Sequence, residues 1–435
     1  VSAPIKPRDD GRASPLSRAT IAWGMFDWAN TPYAVVVLTF VFATYFAQSV
    51  APDPVTGTSA WGYALSASAV MIAVASPVIG ALADRRGGRK PWLAGTSVVL
   101  FAVASLLWFV RPQASDMILA LVLVAVGNLA FEVGSALYNA MLPGLVRRQR
   151  VGTLSGLAQA AGYVGGLACL LIALQGLIQA DPPPFGLDKE RAEHVRAVSL
   201  LVAAWFAIFA LPLFLFTPQA PPAPATDAGS ALTQIRRDLL ELWRTARADP
   251  RLGRFLIANM LYIDGLNTLF AFGGIYAAGS FGMSIGEVLE FGIMMNIAAG
   301  LGAAGMAWLD DRIGSIRLIR VALVAMIILG TAILLVSDKT SFLVVGLAMG
   351  LFLGPLQSAS RSHMAHLAPP ALSARFFGLL ALAGKATAFL GPLVLAIVTD
   401  LFASQRAGMA TILVFFVAGL ALTHGLRPTA TDARE

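Results

Sequence analysis

Four ionisable side chains sit inside stretches that otherwise hold almost no charge: Asp27, Glu132, Asp264 and Lys385. A charge held away from water is costly, and side chains in that position face a partner or a water-filled cavity. Two readings follow. These groups bind a solute or pass protons, or they pair with neighbours and fix helix packing. One acid and one base in a cavity would suit a zwitterion such as an amino acid, each holding the opposite charge. Asn30 and Asn267 stand three residues after Asp27 and Asp264, a spacing expected to put Asp and Asn on one helix face. The expected substrate-binding or proton-coupling set is therefore Asp27, Asn30, Glu132, Asp264, Asn267 and Lys385. The other amides in or near apolar runs are Asn128, Asn139, Asn259, Asn296, Gln159 and Gln357. They are expected chiefly to bridge helices.

A second cluster lies between apolar runs: Asp84, Arg85, Gly87, Arg89 and Lys90. Asp311 and Arg312, just before Gly314, repeat it in reduced form. Asp84 would cap a helix start and Arg85 would find an acid, so opening a gate there means breaking charge-assisted bonds. The plainer alternative is a set of positive charges that fixes topology.

Long apolar helices must position these groups. Of 435 residues, 57% are hydrophobic and 13% charged, where a soluble domain carries about 25% charged residues. Lipid as solvent removes that conflict. A spanning helix needs about 20 apolar residues, and twelve runs qualify. They are Ile21–Val50, Ala60–Ala83, Trp92–Val110, Met117–Ala140, Leu154–Ile178, Val195–Phe216, Phe255–Ala278, Glu287–Leu309, Leu318–Val336, Phe342–His363, Phe376–Asp400 and Gly408–Leu426.

Basic residues crowd alternate loops. Arg85, Arg86, Arg89 and Lys90, then Arg147, Arg148 and Arg150, then Arg236, Arg237, Arg244 and Arg247, then Arg312, Arg317, Arg320 and Arg361 fall on one side. Arg111, Lys189, Arg191, Arg196, Lys339 and Arg406 fall on the other. This bias places both termini in the cytoplasm. The net charge of +7 thus reflects topology and not nucleic-acid binding. The expected location is a bacterial inner (plasma) membrane, multi-pass. The polar first twenty residues, with Pro4, Pro7 and Pro15, read as a cytoplasmic segment and not as a cleaved leader.

The expected domains are a cytoplasmic segment 1–20, a six-helix bundle 21–217, a cytoplasmic linker 218–252, a second six-helix bundle 253–426 and a tail 427–435. The linker opens with Pro218, Pro221, Pro222 and Pro224. An amphipathic helix should follow, with Ile235, Leu239, Leu242 and Trp243 on one face. The two halves repeat each other. Asp27, Asn30 and Thr31 form D-x-x-N-T, and so do Asp264, Asn267 and Thr268. Gly156 and Gly162 match the spacing of Gly378 and Gly384. The fold class is accordingly an all-α polytopic membrane protein of major facilitator type, with 12 transmembrane helices as two six-helix repeats.

Particular segments carry a closer resemblance. They include Phe26-Asp27-Trp28-Ala29-Asn30, Ala83-Asp84-Arg85-Arg86-Gly87 with Arg89-Lys90-Pro91-Trp92, and Tyr138-Asn139-Ala140-Met141-Leu142-Pro143. Asp264-Gly265, Ser360-Arg361-Ser362 and Gly384-Lys385 through Gly391-Pro392 continue the pattern. Here the chain resembles the Atg22-like, or UMF1, family of the major facilitator superfamily. Three departures are Gly88, where a basic residue is usual, Pro32, where a small residue is common, and His363, where an apolar residue is expected. The resemblance implies transport of a small-molecule substrate, and the yeast member is similar to a vacuolar amino-acid exporter. The expectation is a secondary transporter working by alternating access, with protons as a candidate coupling ion. The alternative is a transporter-like sensor or assembly factor that moves nothing.

No phosphate-binding loop, dinucleotide fingerprint or nucleophile elbow occurs, so no enzyme and no cofactor is expected. His363 and His366 lack further ligands, so no metal is expected. The single cysteine, Cys169, excludes an internal disulfide. A monomer in the lipid bilayer is the default.

Overall fold

A computed structural model describes residues 17–85, 88–146, 151–218, 240, 244, 247, 249–367, 384 and 387–426. Among the described residues twelve principal helices follow one another. They are α1 (Arg18–Val50), α2 (Pro54–Arg85), α3 (Arg89–Leu106), α4 (Met117–Asn139), α5 (Val151–Ala173), α6 (Glu193–Phe216), α7 (Pro250–Phe281), α8 (Ile285–Ile313), α9 (Ser315–Leu335), α10 (Lys339–Leu367), α11 (Leu390–Phe402) and α12 (Gln405–Thr423). A π turn, Leu174–Ile178, extends α5. Eleven helices are long and apolar enough to cross a membrane, and α11 is a shorter apolar helix. The protein is a multi-pass membrane protein.

Several helices start before their apolar run because the start is set by a polar cap. Asp249 accepts hydrogen bonds from the amides of Arg251 and Leu252, and Pro250 takes the first helical position. Asp53 does the same for Val55 and Thr56 at α2, and Ser404 for Ala407 at α12. Ser284 and Glu287 form a reciprocal capping box at α8. Each cap satisfies amides that have no partner inside the helix.

Apolar side chains such as Ile118, Leu335, Leu401 and Val414 are 75%, 76%, 75% and 66% exposed. Water would penalise such a surface; lipid does not. Lipid also gives apolar helices no reason to associate, so contact depends on close backbone approach. Gly302 and Gly354 supply it between α8 and α10, where an added Cβ would meet the carbonyls of Leu351 and Ala299. A Cβ on Gly165 would likewise crowd the Trp28 carbonyl, at 2.6 Å, where α5 meets α1.

The same packing scheme appears in both halves. In the first, α1 packs on α5 and α6, α2 on α4, and α3 on α4 and α6. In the second, α7 packs on α12 and α11, α8 on α10, and α9 on α10 and α12. Two reciprocal clips fasten each half. At the end bearing the basic loops, Lys90 of α3 donates to the carbonyl of Thr217 after α6, at 2.7 Å. Arg320 of α9 donates to the carbonyls of Thr423 and Leu426 at the end of α12. At the opposite end the direction reverses. Arg196 of α6 donates to the Trp108 carbonyl after α3 at 2.8 Å, and Arg406 of α12 to the Val336 carbonyl after α9 at 2.9 Å. Cations suit these sites because helix C-termini carry unpaired carbonyls and partial negative charge.

Pro32 shapes α1. It has no N–H to give the Trp28 carbonyl four residues back. The indole N–H of Trp205 takes that place at 3.0 Å. The next eight residues, Tyr33–Phe40, form a π-helix, with the Thr39 hydroxyl donating to the Ala34 carbonyl.

Candidate functional site

A cavity of about 720 Å³ lies between the two halves. The π segment of α1 contributes Ala34, Leu38 and Thr39 to its wall. Among the rest, α2 gives Leu65, Ala69 and Ile72, α4 gives Asn128, Phe131 and Glu132, and α7 gives Asn259, Ile263, Asn267 and Phe270. Gln357, Ser360 and Arg361 of α10 and Pro392 of α11 also line it. The size and the few polar groups in an apolar wall suit a small molecule.

The polar groups of the two walls are not equally occupied. On the first-half wall, Asn128 donates to the Ser68 hydroxyl at 2.8 Å, and Glu132 is already engaged. On the second-half wall, Asn267 is exposed to the cavity. Asn259 is 4% exposed, and its Oδ1 is buried without a hydrogen-bond partner among the described residues. Ser360 is held by Tyr262, hydroxyl to hydroxyl, at 2.8 Å.

The end remote from the basic loops is closed by bonds between the halves. The Tyr63 hydroxyl donates to Asp400 at 2.7 Å, and the Ser66 hydroxyl to the Phe389 carbonyl at 3.1 Å. Gln405 donates to the Pro54 carbonyl and to the Thr58 hydroxyl. On the other flank Gln179 donates to Glu290 at 2.6 Å. Gly62 lies against Pro392, Ala396 and Phe272, and Gly292 against the Phe40 ring.

The expected site residues separate. Glu132 and Asn267 line the cavity. Asp27 does not; it is half-buried and accepts from the Tyr138 hydroxyl at 3.1 Å. Asn30 is buried and donates to the Ser135 hydroxyl at 3.0 Å. Asp264 is 1% exposed, and its Oδ2 accepts the Gly391 amide at 3.0 Å. The expected shared face for Asp264 and Asn267 does not hold. Three residues leave about 60° between side chains, enough at the seam with α11 to bury one and expose the other. Lys385 lies outside the described residues. The Gly162–Gly384 match also shifts. A Cβ on Gly162 would meet Thr31 and Asp27, and the same contact to Thr268 and Asp264 is made by Gly391. A Cβ on Gly384 would meet nothing within 4 Å among the described residues.

Of the expected gate, Gly87 and the side chains of Asp84, Arg85 and Asp311 lie outside the described residues. Arg89 donates to the Ala140 carbonyl and Lys90 to that of Thr217, so both bonds stay within the first half. Arg312 is exposed and has an interaction partner. The left-handed turn falls on Gly88, at φ 117°, with Gly314 at φ 85° in the second half. Such angles favour glycine, which accounts for Gly88 at that position. The linker helix expected around Ile235, Leu239, Leu242 and Trp243 also lies outside the described residues.

The chain matches the family described as "Vacuole effluxer Atg22 like" over residues 48–152 and 148–429. It belongs to the Atg22-like family. A Bacillus subtilis (strain 168) relative of this Atg22-like chain, named as an uncharacterized MFS-type transporter, YxiO, is 23% identical over 95% of the chain and 96% of its own length. The autophagy-related protein 22 of Kluyveromyces lactis is 23% identical, over 73% of this chain and 69% of that protein. The one from Cryptococcus neoformans is 24% identical, and the match spans 48% of its length. Among solved structures, a D-xylose-proton symporter superposes with a TM-score of 0.71 at 14% identity, covering 96% of this chain and 99% of that one. The nucleoside transporter NupG gives 0.66 at 16% identity, covering 94% and 98%. The Atg22-like chain therefore has the major facilitator fold. The family and neighbours it matches are transport proteins and not enzymes.

Sequence reasoning missed Arg361 of this Atg22-like chain as a cavity residue and set Asn259 and Gln357 aside as helix bridges. The usable signal was their position: polar groups in inward-facing turns of α7 and α10, within long apolar runs.

Proposed function

We propose that this protein is a secondary transporter that moves a small polar solute across the cytoplasmic membrane by alternating access. The observation that carries the reading is the cavity between two repeated halves, sealed at one end by bonds that join them. The basic loops support an orientation with the sealed end outside and both termini in the cytoplasm. A typical hydrogen bond stabilises by about 1 kcal/mol net, so the seal is worth several kcal/mol. Reversing a two-state preference from 1:99 to 99:1 takes about 5.5 kcal/mol. Differential solute binding can therefore open it.

Amino acids are the first cargo to test, given the vacuolar effluxers of the family. Coupling to protons is assigned to Asp264. Its Oδ2 accepts the amide N–H of Gly391 in the first turn of α11, and its Oδ1 has no partner among the described residues. Protonation weakens the carboxylate as an acceptor and loosens α11 from α7. Asp27, tied to Tyr138 on α4, is the second candidate.

The test uses purified protein in liposomes with a pH-sensitive dye and isotope uptake. Pools of amino acids, sugars and organic acids are added in turn. The expected result is solute-dependent proton flux, reduced more than ten-fold in Asp264→Asn and retained in Asp27→Asn. Isotope uptake without proton flux would remove the coupling role of Asp264. No uptake of any pool would favour a protein that senses or assembles without transporting.

A further inference from the structure

We propose that Arg361 and Asn259 form an anion subsite in the cavity, and that a carboxylate is the obligatory group of the solute. The inference rests on the transport reading and narrows its substrate class.

Three observations support it. Arg361 and Glu132 are the charged residues found in the described wall. Glu132 is already engaged, whereas Arg361 is exposed and meets no acid or carbonyl among the described residues. Among the described residues, the charged group of the wall left without a partner is thus a guanidinium, whose planar fork matches a carboxylate. Second, Asn259 lines the cavity at 4% exposure, and its carboxamide oxygen is buried behind that wall with no partner among the described residues. A buried polar atom without a partner in the protein costs free energy that a bound ligand can recover. Third, the two groups are held at one level. The Tyr262–Ser360 bond locks α7 to α10 one turn from Asn259 and one residue from Arg361. The hydroxyl of Ser360 is also bonded to the Leu356 carbonyl, so this turn of α10 is fixed before any solute arrives. A carboxylate oxygen pair can take the guanidinium N–H groups, and a rotation of the Asn259 side chain that brings its buried oxygen to the cavity lets it accept an adjacent N–H or O–H of the solute. An amino acid fulfils both requirements, and so does a hydroxy acid without an ammonium group.

The full-length protein in detergent is titrated with matched pairs that differ only at the carboxylate: alanine against alaninamide, lactate against lactamide, with glucose as a neutral control. Binding is read by calorimetry and by the shift in Tm. Alanine or lactate is expected to bind, and its amide not. Arg361→Gln is expected to weaken binding about ten- to a hundred-fold, the range for a charge-assisted bond, without lowering the unliganded Tm. Arg361→Lys should recover part of the affinity. Asn259→Asp places a like charge beside the carboxylate and should weaken binding with the fold intact.

Equal binding of acid and amide, or wild-type affinity in Arg361→Gln, overturns the subsite. So does failure of the wild type to bind any carboxylate. Carboxylate binding without uptake in liposomes would sink the transport reading and leave the subsite standing. Uptake of a neutral solute that Arg361→Gln does not change would do the reverse.

Discussion

The D-x-x-N-T motif occurs once in each half, and the two copies have different surroundings. In α1, Asp27 and Asn30 are both bonded to α4, through Tyr138 and Ser135. In α7, Asp264 is sealed against α11 through the Gly391 amide, while Asn267 faces the cavity. A repeat at the level of residue types is therefore not a repeat at the level of contacts. The first copy fastens helices; the second divides its residues between a seam and a binding surface. A glycine lies behind each aspartate, Gly162 in α5 and Gly391 beside the start of α11, so the backbone approach is common to both. The difference comes from which helix supplies the polar partner.

The comparison breaks most visibly at the glycines. A Cβ on Gly391 would collide with the Thr268 hydroxyl and crowd Asp264 Oδ1, while one on Gly162 would approach Thr31 Oγ1 at 2.6 Å. Overpacking costs about 1–3 kcal/mol. Gly391→Ala is expected at the upper end of that range and Gly162→Ala nearer the lower, measured as thermal unfolding in detergent. Equal losses would mean that the two seams are equivalent after all.

The amides sharpen the contrast. Asn30→Leu removes a buried bond to Ser135 and should destabilise by about 1 kcal/mol, visible as a lower Tm. Asn267→Leu removes a cavity group with no partner among the described residues, so the Tm should hold while KM for the solute rises several-fold. If Asn267→Leu unfolds the protein and transport is otherwise normal, its place in the wall is structural.

The smallest effect is expected at the seal. Tyr63→Phe deletes the donor to Asp400 at an exposed position, which removes about 0.5 kcal/mol and shifts the closed-to-open ratio about two-fold. Spin-label distances between the outer ends of α2 and α11 would report it. An unchanged distribution would mean that Gln405 and the Phe272 contacts hold that flank alone.

Much of the fold was legible in the sequence because apolar runs and basic loops are long, redundant signals. Helix starts were less so, since Asp53, Asp249 and Ser404 lie outside the apolar windows that they cap. The reciprocal clips were hidden for another reason. Lys90, Arg196, Arg320 and Arg406 read as topology markers, and nothing in their spacing tells which distant carbonyl they reach. Cavity membership was legible only in part. Glu132 and Asn267 were identified, but Asp264 and Asn30 needed the neighbouring helices in place before their burial could be known. Arg361 was counted with the loop charges because it stands near a helix end.

The clips have a mechanical consequence. Each half carries a brace at both of its ends, α3 to α6 in the first and α9 to α12 in the second. A body braced at both ends tilts as a lever and does not bend. In the proposed transport cycle, halves that rock about the cavity would turn loosening on one side of the bilayer into tightening on the other by geometry. No chain of side-chain rearrangements need carry the message across the membrane.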